Sequence, residues 1–172
     1  MRSLITVFAL LTFACPTMAK VPKGSYINQY LRLTEQITPA LQKLRKDVFV
    51  ACDVVGFERK VKKGESQEDL ATFKQNLRAQ LPERVSFIRR KAQRLRELKE
   101  TSPALKRSQG YIFQYSRHID LALDALKQAA YSGRADVAKI DAAIESAKQN
   151  AAFAERGMGA YLDSKAVPQS GT

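Results

Sequence analysis

The spacing of apolar residues is the feature that most constrains this chain. From Ile27 onward, apolar side chains recur at alternating steps of three and four residues. That spacing is the seam of an amphipathic helix packed nearly parallel to its neighbours. No stretch alternates at period two for long enough to predict a strand. The four predicted seams are Ile27, Tyr30, Thr34, Ile37, Leu41, Leu44, Val48, Ala51 and Val55; Leu70, Phe73, Leu77, Leu81, Val85, Ile88, Ala92, Leu95 and Leu98; Leu105, Ile112, Tyr115, Ile119, Ala122, Leu126 and Ala129; and Val137, Ile140, Ile144, Ala147, Ala151, Ala154, Met158 and Tyr161.

Residues between the seams predict where each helix begins and ends. Gly64 is expected to end the first helix, and Ser66, with Asp69 three residues later, resembles a capping box for the second. The Ser-Pro pair at 102–103 is a typical helix start, and Gly133 is a typical stop. Connections this short force consecutive helices to lie antiparallel. The sequence therefore predicts an all-α protein, an up-down-up-down four-helix bundle.

Three details of this bundle follow from single residues. Pro39 and Pro82 fall inside the first two helices, so we expect a kink or a brief break near Pro39 and a kink near Pro82. The first two helices are predicted to be longer than the last two, with the 56–72 hairpin end projecting beyond the bundle. The alanine-rich fourth helix predicts close approach of its neighbours, whereas Gly157 and Gly159 should weaken its last turns.

The first 19 residues have the pattern of an export signal. Arg2 supplies a positive charge, residues 4–14 form an uncharged apolar run, and Thr17 and Ala19 are the small residues that a signal peptidase accepts. The run is too short to span a bilayer, which takes about 20 apolar residues. We expect cleavage before Lys20 and a periplasmic or secreted product.

Cys15 leaves two alternatives to ordinary cleavage, a lipoprotein signal and an uncleaved anchor. Phe13 stands where a lipoprotein signal has a small residue, which disfavours lipidation. The predicted organisation is a signal peptide at 1–19, one four-helix-bundle domain at 20–166, and a disordered tail at 167–172.

Positive charge is concentrated in one half of the chain. The formal net charge is +12, and Lys20 to Arg107 contains 21 Lys and Arg against 10 Asp and Glu. Residues 108–172 are balanced, with seven of each sign. The two clusters are a hairpin tip, Arg59, Lys60, Lys62 and Lys63, and a second-helix group, Arg84, Arg89, Arg90, Lys91, Arg94, Arg96 and Lys99.

This asymmetry has two interpretations, a solvated face that keeps the protein soluble, or a surface for an acidic partner. The partner would be an acidic protein of an envelope assembly, an anionic envelope polymer or anionic lipid head groups. Nucleic acid is disfavoured, since no aromatic residues interleave with the arginines to stack bases. The predicted partner-binding residues are Arg59, Lys60, Lys62, Lys63, Arg89, Arg90, Lys91, Arg94 and Arg96.

The inventory of reactive residues argues against an enzyme. The chain has 1 His and 2 Cys, and it carries no Glu-x-x-His pair, Gly-rich phosphate loop or nucleophile elbow. We predict no catalytic residue, no metal site and no cofactor. Cys52 is expected to be a small buried thiol, with a disulfide-linked dimer as the alternative.

A different class of function remains open, a carrier or sensor that holds a small apolar ligand between the helices. Tyr111, Tyr115 and His118 lie on roughly one side of the third helix and would line such a cavity. His118 is expected to be a partly buried structural residue rather than a ligand or a base. A chaperone-like protein with a basic cradle is a further alternative.

Part of the chain, residues 102–158, resembles the C-terminal half of the small periplasmic b-type cytochromes of four-helix-bundle fold. The residues that carry the resemblance are Ser102-Pro103, Ile119-Asp120-Leu121-Ala122-Leu123, Gly133-Arg134 and Gln149-Asn150-Ala151. That family holds haem between a Met near the start of the first helix and a His on the last. Here the first helix has no Met, and Phe153 lies near the place of the His. The resemblance implies an exported bundle without haem, which would be a binding or structural protein.

Overall fold

Four long helices form the fold. The structure is a computed structural model that describes residues 25–57, 69–99 and 102–166. Its helices are α1 (Tyr26–Ala51), α2 (Leu70–Glu97), α3 (Lys106–Ser132) and α4 (Val137–Ala166), with a single-turn 3₁₀ helix at Pro103–Leu105 before α3. These ranges contain no strand, which confirms the all-α prediction. None of the helices in them has the length and apolarity needed to cross a membrane.

Contacts between the helices confirm the up-down-up-down order. In the α2–α3, α3–α4 and α1–α4 pairs, late residues of one helix meet earlier residues of the other. Between α2 and α3, Gln109 Nε2 donates to Leu98 O at 3.0 Å and Arg78 Nε donates to Ala130 O at 3.0 Å. Between α3 and α4, Ser108 lies beside Gly157. Between α1 and α4, Arg45 Nε donates to Asp141 Oδ1 at 2.8 Å and Tyr30 Oη donates to Ala151 O at 3.5 Å. All four helices therefore surround one core.

The predicted seams make up that core, with two exceptions at helix ends. Leu44, Ile88 and Leu126 are each at most 1% exposed, and most of the other seam residues are buried as well. Val55 is 97% exposed and Leu70 is 45% exposed, so their assignment to the core is wrong. Val55 follows the end of α1, and Leu70 is the first residue of α2, where no neighbouring turn covers it.

The predicted lengths of the helices are wrong. Helices α1 to α4 span 26, 28, 27 and 30 residues, so the first two are not the longest. α1 ends at Ala51, because Asp53 and Gly56 adopt positive φ angles of 55° and 87° and turn the chain. α4 runs through Gly157, which packs on Ser108 of α3, and through Gly159. Residues 58–68 lie outside the described residues, so projection of the hairpin end stays a prediction.

Both internal prolines lie within unbroken helices. Pro39 is inside α1 and Pro82 is inside α2, so the predicted brief break at Pro39 is wrong. Each proline lacks a backbone N–H, so the carbonyls of Glu35 and Arg78, four residues earlier, have no helical donor. Both prolines are exposed. Bending at these two positions stays a prediction.

α3 and α4 form the most extensive helix pair, as the alanine-rich sequence predicts. Small buried residues let the two backbones approach closely; they are Ala122, Ala125 and Ala129 on α3 and Ala147 and Ala154 on α4. This close pair positions a groove at one end of the bundle, where α3 begins and α4 ends.

Candidate functional site

Two arginines of the second-helix cluster are ion-paired with α3. Arg89 Nη2 lies 2.6 Å from Asp124 Oδ1, and its Nε lies 3.4 Å from Asp120 Oδ1. Arg96 pairs with the other oxygen of Asp120 and donates from Nε to Ser116 Oγ at 2.7 Å. Arg89 and Arg96 are seven residues, or two turns, apart, so they share one side of α2. Their positive charges are partly neutralised within the protein, and these ion pairs join α2 to α3.

Arg84 has a structural role of the same kind. Its Nη2 lies 2.7 Å from Asp47 Oδ2 of α1, and both side chains are less than a quarter exposed. Arg78, earlier on α2, donates to the carbonyls of Ala130 and Tyr131 at 3.0 and 3.1 Å. A cation at the last carbonyls of a helix also complements its dipole, here that of α3.

The other basic residues of the cluster form a separate surface, which we call the outward basic face: Arg90, Lys91, Arg94 and Lys99. Arg90, Arg94 and Lys99 are exposed, and Lys91 is half-buried. Within the described ranges, none of the four pairs with a carboxylate. The Lys91 Nζ lies 5.5 Å from the ring centroid of Phe87, which is itself 37% exposed. This face therefore combines unneutralised cations with one accessible aromatic ring, so the expectation that no aromatic residue interleaves with the arginines is wrong.

Few acids on α2 offset this face. Residues 69–99 contain nine Lys and Arg against three Asp and Glu. Of the three acids, Asp69 caps the start of α2 by accepting from Thr72 N at 2.7 Å, and Glu97 accepts from Gln93 Nε2 at 3.0 Å. Asp69 rather than Ser66 is the N-cap that the structure gives α2.

The predicted hairpin tip, Arg59, Lys60, Lys62 and Lys63, lies outside the described residues, and its role in binding stays a prediction. The same holds for the predicted signal at 1–19 and the tail at 167–172.

The three residues of the predicted ligand cavity have different surroundings. Tyr115 is 4% exposed in the core, where burial outweighs a hydrogen bond with Thr38 and raises the pKa of its phenol to about 12. His118 is half-buried, as expected of a structural histidine. Tyr111 stacks on Phe153 of α4, with ring centroids 5.1 Å apart. Only Tyr111 of the three lines the groove, so shared ligand binding by this set stays a prediction.

The groove between the start of α3 and the end of α4 has a volume of about 490 Å³. Its lining consists of aromatic, small and hydroxyl side chains with one cation: Pro103, Ala104, Arg107, Ser108, Tyr111, Phe153, Gly157, Ala160, Tyr161 and Ser164. The sequence gives no local signal for it, since its two walls lie some 50 residues apart along the chain.

A buried tyrosine joins α1 to α4. Tyr30 is 0% exposed, and its hydroxyl donates to Ala151 O at 3.5 Å and to Glu155 Oε1 at 3.3 Å. Burial, with the nearby carboxylate, raises the pKa of Tyr30 far above its usual value. Burial also raises the pKa of Glu155, and the hydrogen bond from Tyr30 opposes that rise. A phenol that holds its proton so firmly is suited to structure rather than to acid–base chemistry.

Other reactive side chains are dispersed. Within the described residues, no three His, Cys, Asp or Glu side chains lie close enough together to hold a metal ion. The thiol of Cys52 is half-buried, and its Sγ lies 3.5 Å from Ala129 O. Burial raises the pKa of this thiol, which lowers its thiolate fraction at neutral pH.

Comparisons with protein-family models, curated proteins and solved structures found no match for this chain. The resemblance to the b-type cytochromes therefore stays a prediction.

Proposed function

We propose that this protein is an exported, non-enzymatic helical bundle that docks on an acidic partner protein. The docking surface is the outward basic face of α2, together with the predicted hairpin tip. The observation that supports the proposal is the division of α2's cations into two sets. Arg84, Arg89 and Arg96 bind the protein's own carboxylates, whereas Arg90 and Arg94 have no such partner in the described ranges.

Charge complementarity would act mainly on the rate and orientation of docking. Arg90 and Arg94 are one helical turn apart, about 6 Å along the axis, and like charges so placed repel by a few tenths of a kcal/mol. A partner carboxylate between them would relieve that repulsion. Exposed pairs of this kind contribute about 0.2–1 kcal/mol each, so several must act together.

The exposed ring of Phe87 favours a protein over a uniform polyanion. The Phe87 ring lies beside Lys91 at the edge of the outward basic face and offers an apolar contact there. An acidic protein surface carries apolar side chains that fill such a contact, whereas a simple polyanion uses the charges alone. Aromatic residues beside cations are typical of protein interfaces.

The experiment compares two double charge reversals that change the net charge equally. The probe is a fluorescent synthetic peptide with Glu and Leu at helical spacing, measured by anisotropy at low and high salt. Arg90→Glu with Arg94→Glu should weaken binding by about tenfold or more, since it replaces attraction by repulsion at the site. The matched control is Arg117→Glu with Lys127→Glu, on the exposed side of α3. This control should change the affinity for the peptide by less than about threefold.

Circular dichroism must show the same helical content for both double variants. Equal weakening by both would mean that net charge alone attracts the peptide, and binding indifferent to salt would reject charge-driven docking. Phe87→Ser tests the class of partner. It should weaken binding of the peptide but not of poly-L-glutamate, and equal effects on both would reject a protein partner.

A further inference from the structure

The groove between α3 and α4 has aromatic side chains on both sides of Gly157. Gly157 lies one turn from Phe153 and one turn from Tyr161 along α4, so the two rings stand on either side of it. The Cα atoms of Phe153 and Tyr161 are separated by eight residues, about 12 Å of helix. Tyr111 extends the wall at Phe153 by stacking on that ring. The Ser108 hydroxyl lies against Gly157 at the floor of this gap, and the space beyond it fits a flat one- or two-ring molecule.

Cations surround these rings, and the part of the groove lining that the structure describes contains no acid. Arg107 lines the groove itself. The Arg156 guanidinium lies 4.7 Å from the centroid of the Phe153 ring, and the Lys165 ammonium lies 5.8 Å from that of Tyr161. The start of α3 and the end of α4 have opposite dipoles, which largely offset one another, so these side chains determine the local potential. The groove therefore favours an anion.

A buried hydroxyl marks the floor of the groove. Ser108 is 2% exposed and has no hydrogen-bond partner within the described residues. Its Oγ points at Gly157, since a Cβ added there would lie 2.2 Å from it. This hydroxyl lines the groove, where it can donate a hydrogen bond to an acceptor on a bound molecule.

We propose that this groove binds a small planar aromatic carboxylate, held by Arg107 and Ser108 between the rings of Phe153 and Tyr161. The ring system lies beside Gly157 and the Ser108 hydroxyl that covers it. The carboxylate accepts from the guanidinium of Arg107 and from the Ser108 hydroxyl. A volume of about 490 Å³ lies within the range usual for small-molecule sites. This site is separate from the outward basic face and does not depend on the proposed docking.

The test uses 2-naphthoate and its neutral amide, 2-naphthamide, which have the same ring system. Each is titrated into the ¹⁵N-labelled protein, and amide chemical shifts give both the site and the dissociation constant. We expect saturable shifts at Ser108, Tyr111 and Gly157. The carboxylate should bind about tenfold more tightly than the amide, as a charge-assisted hydrogen bond implies.

Three variants separate the parts of the site. Arg107→Gln should remove the preference for the carboxylate and leave the affinity for the amide within about twofold. Ala160→Trp should abolish binding of both probes, because Ala160 is exposed at the groove and the indole would fill it. Arg117→Gln removes an exposed cation elsewhere on α3 and should change neither affinity. All three positions are exposed, so helical content should stay unchanged.

Any one of four results would contradict the proposed binding site. They are equal affinity for the two probes, shifts centred on Arg90 and Arg94, undiminished binding in Ala160→Trp, or no saturable shift at millimolar probe.

Discussion

Replacing Gly157 tests the packing of α4 on α3 quantitatively. In a helix interior, alanine is more favourable than glycine by about 1 kcal/mol. At Gly157 a steric conflict opposes this gain in helix stability, since the new Cβ would lie 2.2 Å from Ser108 Oγ. The conflict involves one rotatable hydroxyl, because the Ser108 Cβ is 3.6 Å away, an ordinary contact. Displacing the hydroxyl from its rotamer costs about 0.5–1.5 kcal/mol, so the two effects should nearly cancel.

A double-mutant cycle isolates that conflict. Ser108→Ala alone removes a hydroxyl without a hydrogen-bond partner and should change the free energy of unfolding by less than about 0.5 kcal/mol. Gly157→Ala alone should be close to neutral. The double variant keeps the helix gain without the conflict, so it should be about 1 kcal/mol more stable than the wild type, or about 2–4 °C in Tm.

Urea unfolding followed by circular dichroism measures all four proteins. If Gly157→Ala alone were as stable as the double variant, the hydroxyl would not be in the way. Loss of about 2 kcal/mol or more in the double variant would show that the helix backbones approach too closely for any methyl group. Either result would contradict the packing described for this helix pair.

Three further predictions concern the core and its polar contacts. Leu44→Ala should lower the free energy of unfolding by about 2–5 kcal/mol in urea titrations, because Leu44 is 0% exposed, and a loss below about 1 kcal/mol would contradict its central position. Ser116→Ala should cost about 1–2 kcal/mol, since its buried hydroxyl accepts from Arg96 and donates to a backbone carbonyl at 2.7 Å; an unchanged midpoint would contradict those bonds. For Glu155 the folded-state pKa is raised, so the wild type loses stability as pH rises through that pKa. Glu155→Gln has no such loss and still accepts from Tyr30, so its stability relative to the wild type should be greater at pH 7 than at pH 4, and an equal difference at both would contradict the raised pKa of Glu155.

Local patterns in the sequence were sufficient for the architecture. The seam residues of α3, such as Ile112 and Leu126, are buried because a three-four period leaves one stripe of a helix apolar. The end of α1 was not predictable in this way. It depends on a left-handed Asp53, a conformation that Asp adopts only in particular surroundings.

The candidate sites were only partly predictable. The basic cluster on α2 is visible in the sequence. Its division into ion-paired and unpaired residues is not, because Arg89 and Arg96 pair with carboxylates on a different helix. The groove depends on where Gly157 meets Ser108, a tertiary contact between residues 49 positions apart. Composition and periodicity carry no information about such a meeting.

Site-specific photo-crosslinking tests docking through the outward basic face most directly. A photoreactive residue at Arg94 is compared with one at Arg117, in cells that produce the protein. Docking predicts a crosslink from position 94 to a segment rich in Asp and Glu, reduced by raised salt, and no comparable crosslink from position 117. Equal crosslinks from both positions, or a salt-resistant crosslink to a segment without acids, would contradict it.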